Sequence, residues 1–300
     1  MSLLSKVVTG KIEKPHYVLL YGEPGLGKST FASNAPSPIF LCTEDGTNNL
    51  DVSRLKIDSF TEMLSALNEL ATTKHSYKSI VIDTIDHFEP MIFSEVLKEN
   101  PKYNNIEKIP YKNGYEYALT YWLKFLSVIE IARENGLHII FLAHEYVKSH
   151  NDPMLTESYD KHKIKIHHKA ASLLVDKVEN VLFVTQKVYL DSSDSGKKAK
   201  AYGEGNRVVY TENRPSFVAK NRFNLPFEMP LSWEDFEREC KSQKPKDIST
   251  MIKFIEENLI NLDSSIREKA RAHFEQNKDN PVVLAQIEDR IKAIISTKTA

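Results

Sequence analysis

Three things are scarce in this chain of 300 residues: cysteine, net charge and long apolar runs. Only two cysteines occur, Cys42 inside an apolar run and Cys240 in a charged stretch. That excludes a disulfide framework and suits a reducing interior. The 40 basic and 41 acidic side chains leave a formal charge of −1, so no global positive field advertises a polyanionic partner, and any nucleic-acid contact has to come from a local patch. No apolar run approaches the roughly 20 residues that cross a bilayer. The opening MSLLSKVVTG carries no apolar stretch of signal-peptide length. A soluble cytoplasmic protein is therefore expected, with no membrane partner.

What the chain does contain is a 41% hydrophobic composition, enough to bury one large core. Short apolar runs recur at 16–22 (HYVLLYG), 38–44 (PIFLCTE), 79–83 (SIVID), 138–144 (HIIFLAH) and 181–190 (VLFVTQKVYL). They predict buried strands. Helical patterns lie between them, notably at 59–71 and 114–134. Strand alternating with helix predicts an α/β fold with a mainly parallel central sheet flanked by helices. The runs 207–211 and 216–220, separated by ENRP, predict an added antiparallel hairpin.

After Trp233 the texture changes to charged helix. Met251, Ile252, Ile255 and Leu259 share one helical face, as do Ile287, Ile291, Ile294 and Ile295, with Asp263 or Ser264 as a cap between them. The expected division is a core over 1–240 and a small helical tail over 241–300, joined by the linker 241–247.

Between the first strand and a helix stands Gly22-Glu23-Pro24-Gly25-Leu26-Gly27-Lys28-Ser29, followed by Thr30. Glycines at 22, 25 and 27 let backbone N–H groups turn inward around phosphates. Lys28 then pairs with the β- and γ-phosphates, and Ser29 offers its hydroxyl to Mg²⁺. By chance the pattern arises in about one chain in a hundred of this length. ATP and Mg²⁺ are the expected ligands. Asp83 ends the run SIVID and is the candidate second carboxylate on the magnesium side, although a strand-terminal aspartate means little by itself. The positions that follow are Thr84, Ile85 and Asp86, so the glutamate that AAA+ and helicase families place directly after this aspartate is missing.

Glu44 ends the strand run after the loop's helix and is a candidate to orient or deprotonate the attacking water. Its bland alternative is a solvated acidic turn, TEDG. His144 ends HIIFLAH, where a polar side chain would sense the γ-phosphate, or simply cap its strand.

This order of parts resembles the RecA-like ATPase core, in which the catalytic glutamate lies on the strand after the P-loop helix. More closely, GEPGLGKSTFASNAPSPIFLCTEDG, FLAHE, YDKHKIKIHHKAASLL and AKNRFNLP look like the phage-encoded RecA-like proteins grouped with single-strand annealing and recombination functions, the RecA-like branch of the Sak proteins. The likeness spans about residues 16 to 230. It implies a homo-oligomeric ring or filament in which Lys220 and Arg222 reach the neighbouring subunit's γ-phosphate, as against two solvated hairpin residues. It also implies action on single-stranded DNA, inside the host cytoplasm for a phage protein. Two departures stand out: bacterial RecA proteins carry glutamine where this chain has His144, and no RecA-type C-terminal domain is recognisable.

Two segments are candidate DNA surfaces. One holds Lys148, Lys161, Lys163, Lys165 and Lys169 with His150, His162, His167 and His168, set against Glu145, Asp152, Glu157 and Asp160. The stretch 161–169 is wholly basic. The other puts Lys197, Lys198 and Lys200 with Tyr202 on a Gly/Ser-rich loop, where lysines track phosphates and an aromatic stacks a base. Solvated faces are the ordinary explanation of such runs. His162, His167 and His168 lack cysteine or carboxylate partners at zinc spacing, so no metal is expected there. Two alternatives stay open: a nucleotide-gated module whose tail grips a protein partner, and a helicase or packaging motor.

Overall fold

A computed structural model describes residues 5, 7, 10, 12–153, 155–187, 189–191, 200–202, 205–242, 248–260, 262, 264–278, 280, 283–284, 287–288, 290–291 and 294. The expectations for Lys197, Lys198, Asp263, Ile295 and the 243–247 part of the linker lie outside them. Of Lys200 and Tyr202 the backbone alone is described.

In chain order the elements are β1 (Tyr17–Gly22), α1 (Lys28–Ser33), β2 (Pro38–Cys42), β3 (Ser53–Lys56), α2 (Phe60–Thr72), β4 (Ser79–Asp83), α3 (Ile85–Glu99) and α4 (Asn113–Glu134). There follow β5 (His138–His150), β6 (Tyr159–Ile164), α5 (His168–Lys177), β7 (Asn180–Gln186), β8 (Tyr189–Asp191), β9 (Lys200–Tyr202), β10 (Arg207–Tyr210), β11 (Lys220–Asn221), β12 (Glu228–Pro230), α6 (Trp233–Ser242), α7 (Ile248–Leu259) and α8 (Ser264–Glu275). The main sheet runs β12-β10-β7-β1-β5-β4-β2-β3. Its members from β7 to β3 are all parallel, and the β10 and β12 edge is antiparallel. The fold is of the expected α/β class, a mainly parallel central sheet flanked by helices.

Every residue of β1 and β4 is buried, because helices cover both faces of a parallel sheet. Alternation along β1 sends Tyr17, Leu19 and Tyr21 into one core with Phe88, Trp122 and Phe125, while Val18 and Leu20 enter the other with Phe31, Trp233 and Phe236. The start of α2 is set by Ser59, whose hydroxyl accepts from the Glu62 N–H at 3.2 Å, while the Glu62 carboxylate accepts from the Asp58 N–H at 2.8 Å.

The structure departs from the sequence reading in several places. β3 has no apolar run to announce it, since all four of its residues are exposed at the sheet's edge. α3 carries Pro90 inside it, yet Ile85, Phe88, Ile92 and Val96 are buried along one face, and that packing overrides the proline. The runs 207–211 and 216–220 do not form a hairpin with each other. β10 and β11 both lie antiparallel along β7, Tyr210 opposite Phe183 and Lys220 opposite Val181. The chain leaves that edge between them because Phe217 tucks over Phe183 and Tyr210, with ring centroids 4.9 and 5.1 Å apart. Nor does β5 end at His144: it runs on to His150 and pairs with β6.

The chain divides into two compact units, Met1–Cys240 and Lys241–Ala300. The second has its own core around Met251, Ile255, Leu259, Phe274, Leu284 and Ile287. Among the described residues no helix is long and apolar enough to cross a membrane.

Candidate nucleotide site

Strand β1 delivers Gly22 to the carboxyl edge of the sheet, between β5 and β7. A Cβ on Gly22 would stand 2.2 Å from the Val184 carbonyl oxygen, so the β1 to β7 spacing here admits only glycine. Gly25 and Gly27 take φ of +80° and +94°, which reverses the chain into α1. Lys28, 6% exposed, donates its ammonium to the carbonyls of Gly22 at 3.0 Å and Glu23 at 2.8 Å. Burial pulls its pKa down, against the carboxylates of Asp83, Asp86, Glu44 and Glu145. A buried cation is thus held by loop carbonyls inside an acidic field.

Ser29 donates its hydroxyl to Asp83 Oδ2 at 2.8 Å. Asp83 is 3% exposed, and burial raises its pKa while the Ser29 hydrogen bond opposes the rise. A staple sets the next neighbour. The Thr43 N–H donates to the Asp83 carbonyl at 2.9 Å, the Thr43 hydroxyl donates to the Thr84 carbonyl at 2.7 Å, and the Thr84 N–H donates back to that hydroxyl at 2.9 Å. The following peptide, Asp83–Thr84, is cis. Because β2 and β4 pair Cys42 with Asp83, this staple holds Glu44 beside the aspartate.

His144 lies level with Gly22 in the β1 to β5 register. Asp86 clamps it twice: Oδ1 accepts the His144 backbone N–H at 2.9 Å, and Oδ2 lies 2.9 Å from Nδ1. Burial by itself would raise the Asp86 pKa, but the ring and backbone bonds from His144 hold it down at about 2. His87, in the first turn of α3, places Nδ1 3.3 Å from Glu44 Oε2 and 3.0 Å from the Thr84 hydroxyl. Ligand-capable atoms of Glu44, His87 and His144 all lie within 4.8 Å of one another.

Lys28, Ser29, Glu44, Asp83 and His144 therefore meet at one edge. Lys220 and Arg222 do not join them. β11 pairs with the opening residues of β7, and the Lys220 ammonium donates to the last carbonyls of α5, Val175 at 2.7 Å and Asp176 at 2.9 Å. Burial, then the nearby Arg222, lower the Lys220 pKa.

Sequence reasoning passed over Thr43, Asp86, His87 and Arg207. Asp86 and His87 lie within four residues of Asp83, a spacing that puts them on the first turn of the helix after the strand. Arg207 had no local signal: β10 brings its Nη1 to 2.8 Å from the place a Cβ on Gly27 would occupy.

The basic block after His144 is split by the fold. Pairing of β5 with β6 puts Tyr146 opposite Lys163, Lys148 opposite Lys161 and His150 opposite Tyr159, all six on one face of a hairpin that continues from the phosphate edge. His162 points the other way and meets Glu145 at 2.7 Å. His167 stacks on Tyr115 at 3.9 Å, and Lys169 pairs with Glu116.

The residues present fit Mg²⁺ and a nucleoside triphosphate. The glycine cradle is one that a Cβ would fill, and a hydroxyl and a buried carboxylate converge at 2.8 Å beside the lysine. A family model described as an AAA domain matches residues 14–223. No curated protein sequence matches the chain. Among solved structures, a KaiC-like protein from the hyperthermophilic archaeon Pyrococcus horikoshii OT3 is similar at 13% identity, over 67% of this chain and 80% of that one, with a TM-score of 0.35.

Proposed function

Because the chain belongs to this AAA-domain family, we propose that it is a Mg²⁺-dependent ATPase that acts on single-stranded DNA in phage-type recombination or annealing, in the cytoplasm of the host cell. The observation that carries the ATPase half is the convergence of Lys28, Ser29 and Asp83 with the carboxylate of Glu44, held one residue past the Thr43 staple. Ser29 and Asp83 would hold Mg²⁺, which would supply positive charge against the phosphates. Lys28 leaves the Gly22 and Glu23 carbonyls for the β- and γ-phosphates. Glu44 accepts the proton of the water that attacks the γ-phosphorus. His144, fixed by Asp86, faces the same phosphate and passes its state along β5.

The DNA half rests on the β5 to β6 face. Three lysines and two tyrosines on the β5 to β6 hairpin, which extends from the edge where His144 lies, suit a single strand, with ammonium groups on phosphates and rings under bases. Lys220 and Arg222, on the opposite half of the β7 edge, serve the nucleotide of a neighbouring subunit in a ring or filament. The deciding experiment measures ATP turnover with and without single-stranded DNA, for wild type and Glu44→Gln. Stimulation by DNA and its loss in Glu44→Gln are expected. Equal rates with and without DNA, together with no DNA retention at low salt, would reject the DNA half. Full activity in Glu44→Gln would reject the base.

A second reading, a nucleotide-gated module gripping a protein through its tail, is favoured by one observation. α8 together with Ile287, Arg290, Ile291 and Ile294 lines a groove of about 400 Å³, with Leu262 and Ile266 on its walls and Lys269 beside them. Capture of a partner by residues 241–300 with no DNA effect on turnover would decide for it.

A further inference from the structure

We propose that Glu44, His87 and His144 form a binding site for a divalent transition ion of the zinc class, and that loading it withdraws Glu44 from hydrolysis. The second half rests on the ATPase reading above; the first does not. Two imidazoles and one carboxylate, drawn from the β2 edge loop, the first turn of α3 and the middle of β5, bring ligand atoms within 4.8 Å of one another. Tetrahedral zinc bonds of about 2.0–2.1 Å put neighbouring donors roughly 3.3 Å apart. Glu44 Oε2 and His87 Nδ1 already stand at 3.3 Å, so one edge of the polyhedron is formed.

The third donor is oriented for it. Asp86 Oδ2 takes Nδ1 of His144 at 2.9 Å, which fixes the ring and leaves Nε2 to offer its lone pair. A carboxylate behind a ligating histidine is the usual support of a metal-bound imidazole. The rings of His87 and His144 stand edge to face at 87° with centroids 5.8 Å apart, so neither stacks on the other. The His87 side chain is 46% exposed and that of Glu44 27%, which leaves an entry path and room for water as a further ligand.

Donor chemistry separates this site from its neighbour. Ser29 and Asp83 offer oxygen alone and suit Mg²⁺, whereas nitrogen donors favour zinc-class ions. A carboxylate bound to such an ion has lost the basicity it needs to accept a proton from water.

The test uses the full chain, stripped of metal and free of nucleotide, titrated with Co²⁺ and read by visible absorption. Low-coordinate Co²⁺ gives d–d bands many times stronger than those of the hydrated ion. Wild type is expected to develop them, Zn²⁺ to bleach them, and His87→Ala to lose them, with His87→Gln as a second variant at the same exposed position. Asp83→Asn and His168→Ala are expected to keep them. No bands in wild type, bands that survive both His87 variants, or bands that vanish in Asp83→Asn or His168→Ala would overturn the site. For the second half, Zn²⁺ in the presence of excess Mg²⁺ is expected to slow wild-type ATP turnover at least tenfold, with recovery on chelation. Unchanged turnover with the Co²⁺ bands formed would overturn the gating. Absence of turnover without any Zn²⁺ would instead reject the ATPase reading, and with it the gating half, leaving the Co²⁺ result to stand.

Discussion

Gly22→Ala tests whether the phosphate loop and the sheet are one structure. The added Cβ would lie 2.2 Å from the Val184 carbonyl oxygen and 2.8 Å from its Cγ1. That is about 1 Å short of an ordinary contact, and the nearest obstacle is backbone, which cannot rotate away. β1 has no room to retreat, because β5 holds its other edge along six registered residues. Overpacking of this kind costs about 3 kcal/mol, the upper end for an added methyl in a packed interior. In a unit of this size that lowers Tm by roughly 6–12 °C. The same shift moves the Gly22 carbonyl that holds Lys28, so nucleotide affinity falls as well. Gly25→Ala is the control: nothing lies within 4 Å of its Cβ position, and only φ of +80° is strained, at about 1 kcal/mol. Thermal melts of both variants, with binding of a fluorescent ATP analogue, give the comparison. If Gly22→Ala melts within about 2 °C of wild type, or loses less than Gly25→Ala, the reasoning from the β1 to β7 spacing is refuted.

Further outcomes follow from the same geometry. Glu44→Gln is expected to keep ATP binding and lose turnover by about 10²–10⁴-fold, measured by phosphate release against analogue binding; equal loss of both would assign Glu44 to binding. Replacing Lys148, Lys161 and Lys163 together by alanine removes three phosphate contacts, so the log–log salt slope for a single-stranded oligonucleotide falls by about 2; an unchanged slope places the DNA elsewhere. Glu89, 7% exposed, has its pKa raised to about 7 by burial, against the His167 N–H that bonds its carboxylate. Folded Glu89 therefore keeps a proton that the unfolded chain releases near the ordinary glutamate value of 4.5, and stability declines as pH rises from there to about 7. Urea unfolding of Glu89→Gln is expected to remove about 3 kcal/mol of that decline; parallel curves for the two proteins would contradict it.

The linear order of residues determined a good deal by itself. Gly22 to Ser29 between a buried strand and a helix, the five apolar runs and the missing glutamate after Asp83 are local facts. Strand period, glycine spacing and capping residues act over a few positions, so they are legible without any knowledge of distant partners. SIVID marks β4 to the residue, and Ser59 marks the start of α2. The order of parts also predicted that Glu44, Asp83 and His144 would share an edge, because parallel strands all end on one side.

Tertiary structure decided the rest. No spacing rule announces that Asp86 clamps His144 across 58 residues, that Thr43 staples β2 to β4, or that Arg207 lies against Gly27. The basic run 161–169 reads as one patch, yet the alternation of β6 and the start of α5 divide it between a hairpin face, a hydrogen bond with Glu145 and a stack on Tyr115. Lys220 reads as a free cation until α5 turns out to end beside it. In each case the controlling quantity is a pairing register or a helix end set by residues far away in the chain. Such distances are fixed only once the sheet has closed, which is why the donors around Glu44 became visible together only in the fold.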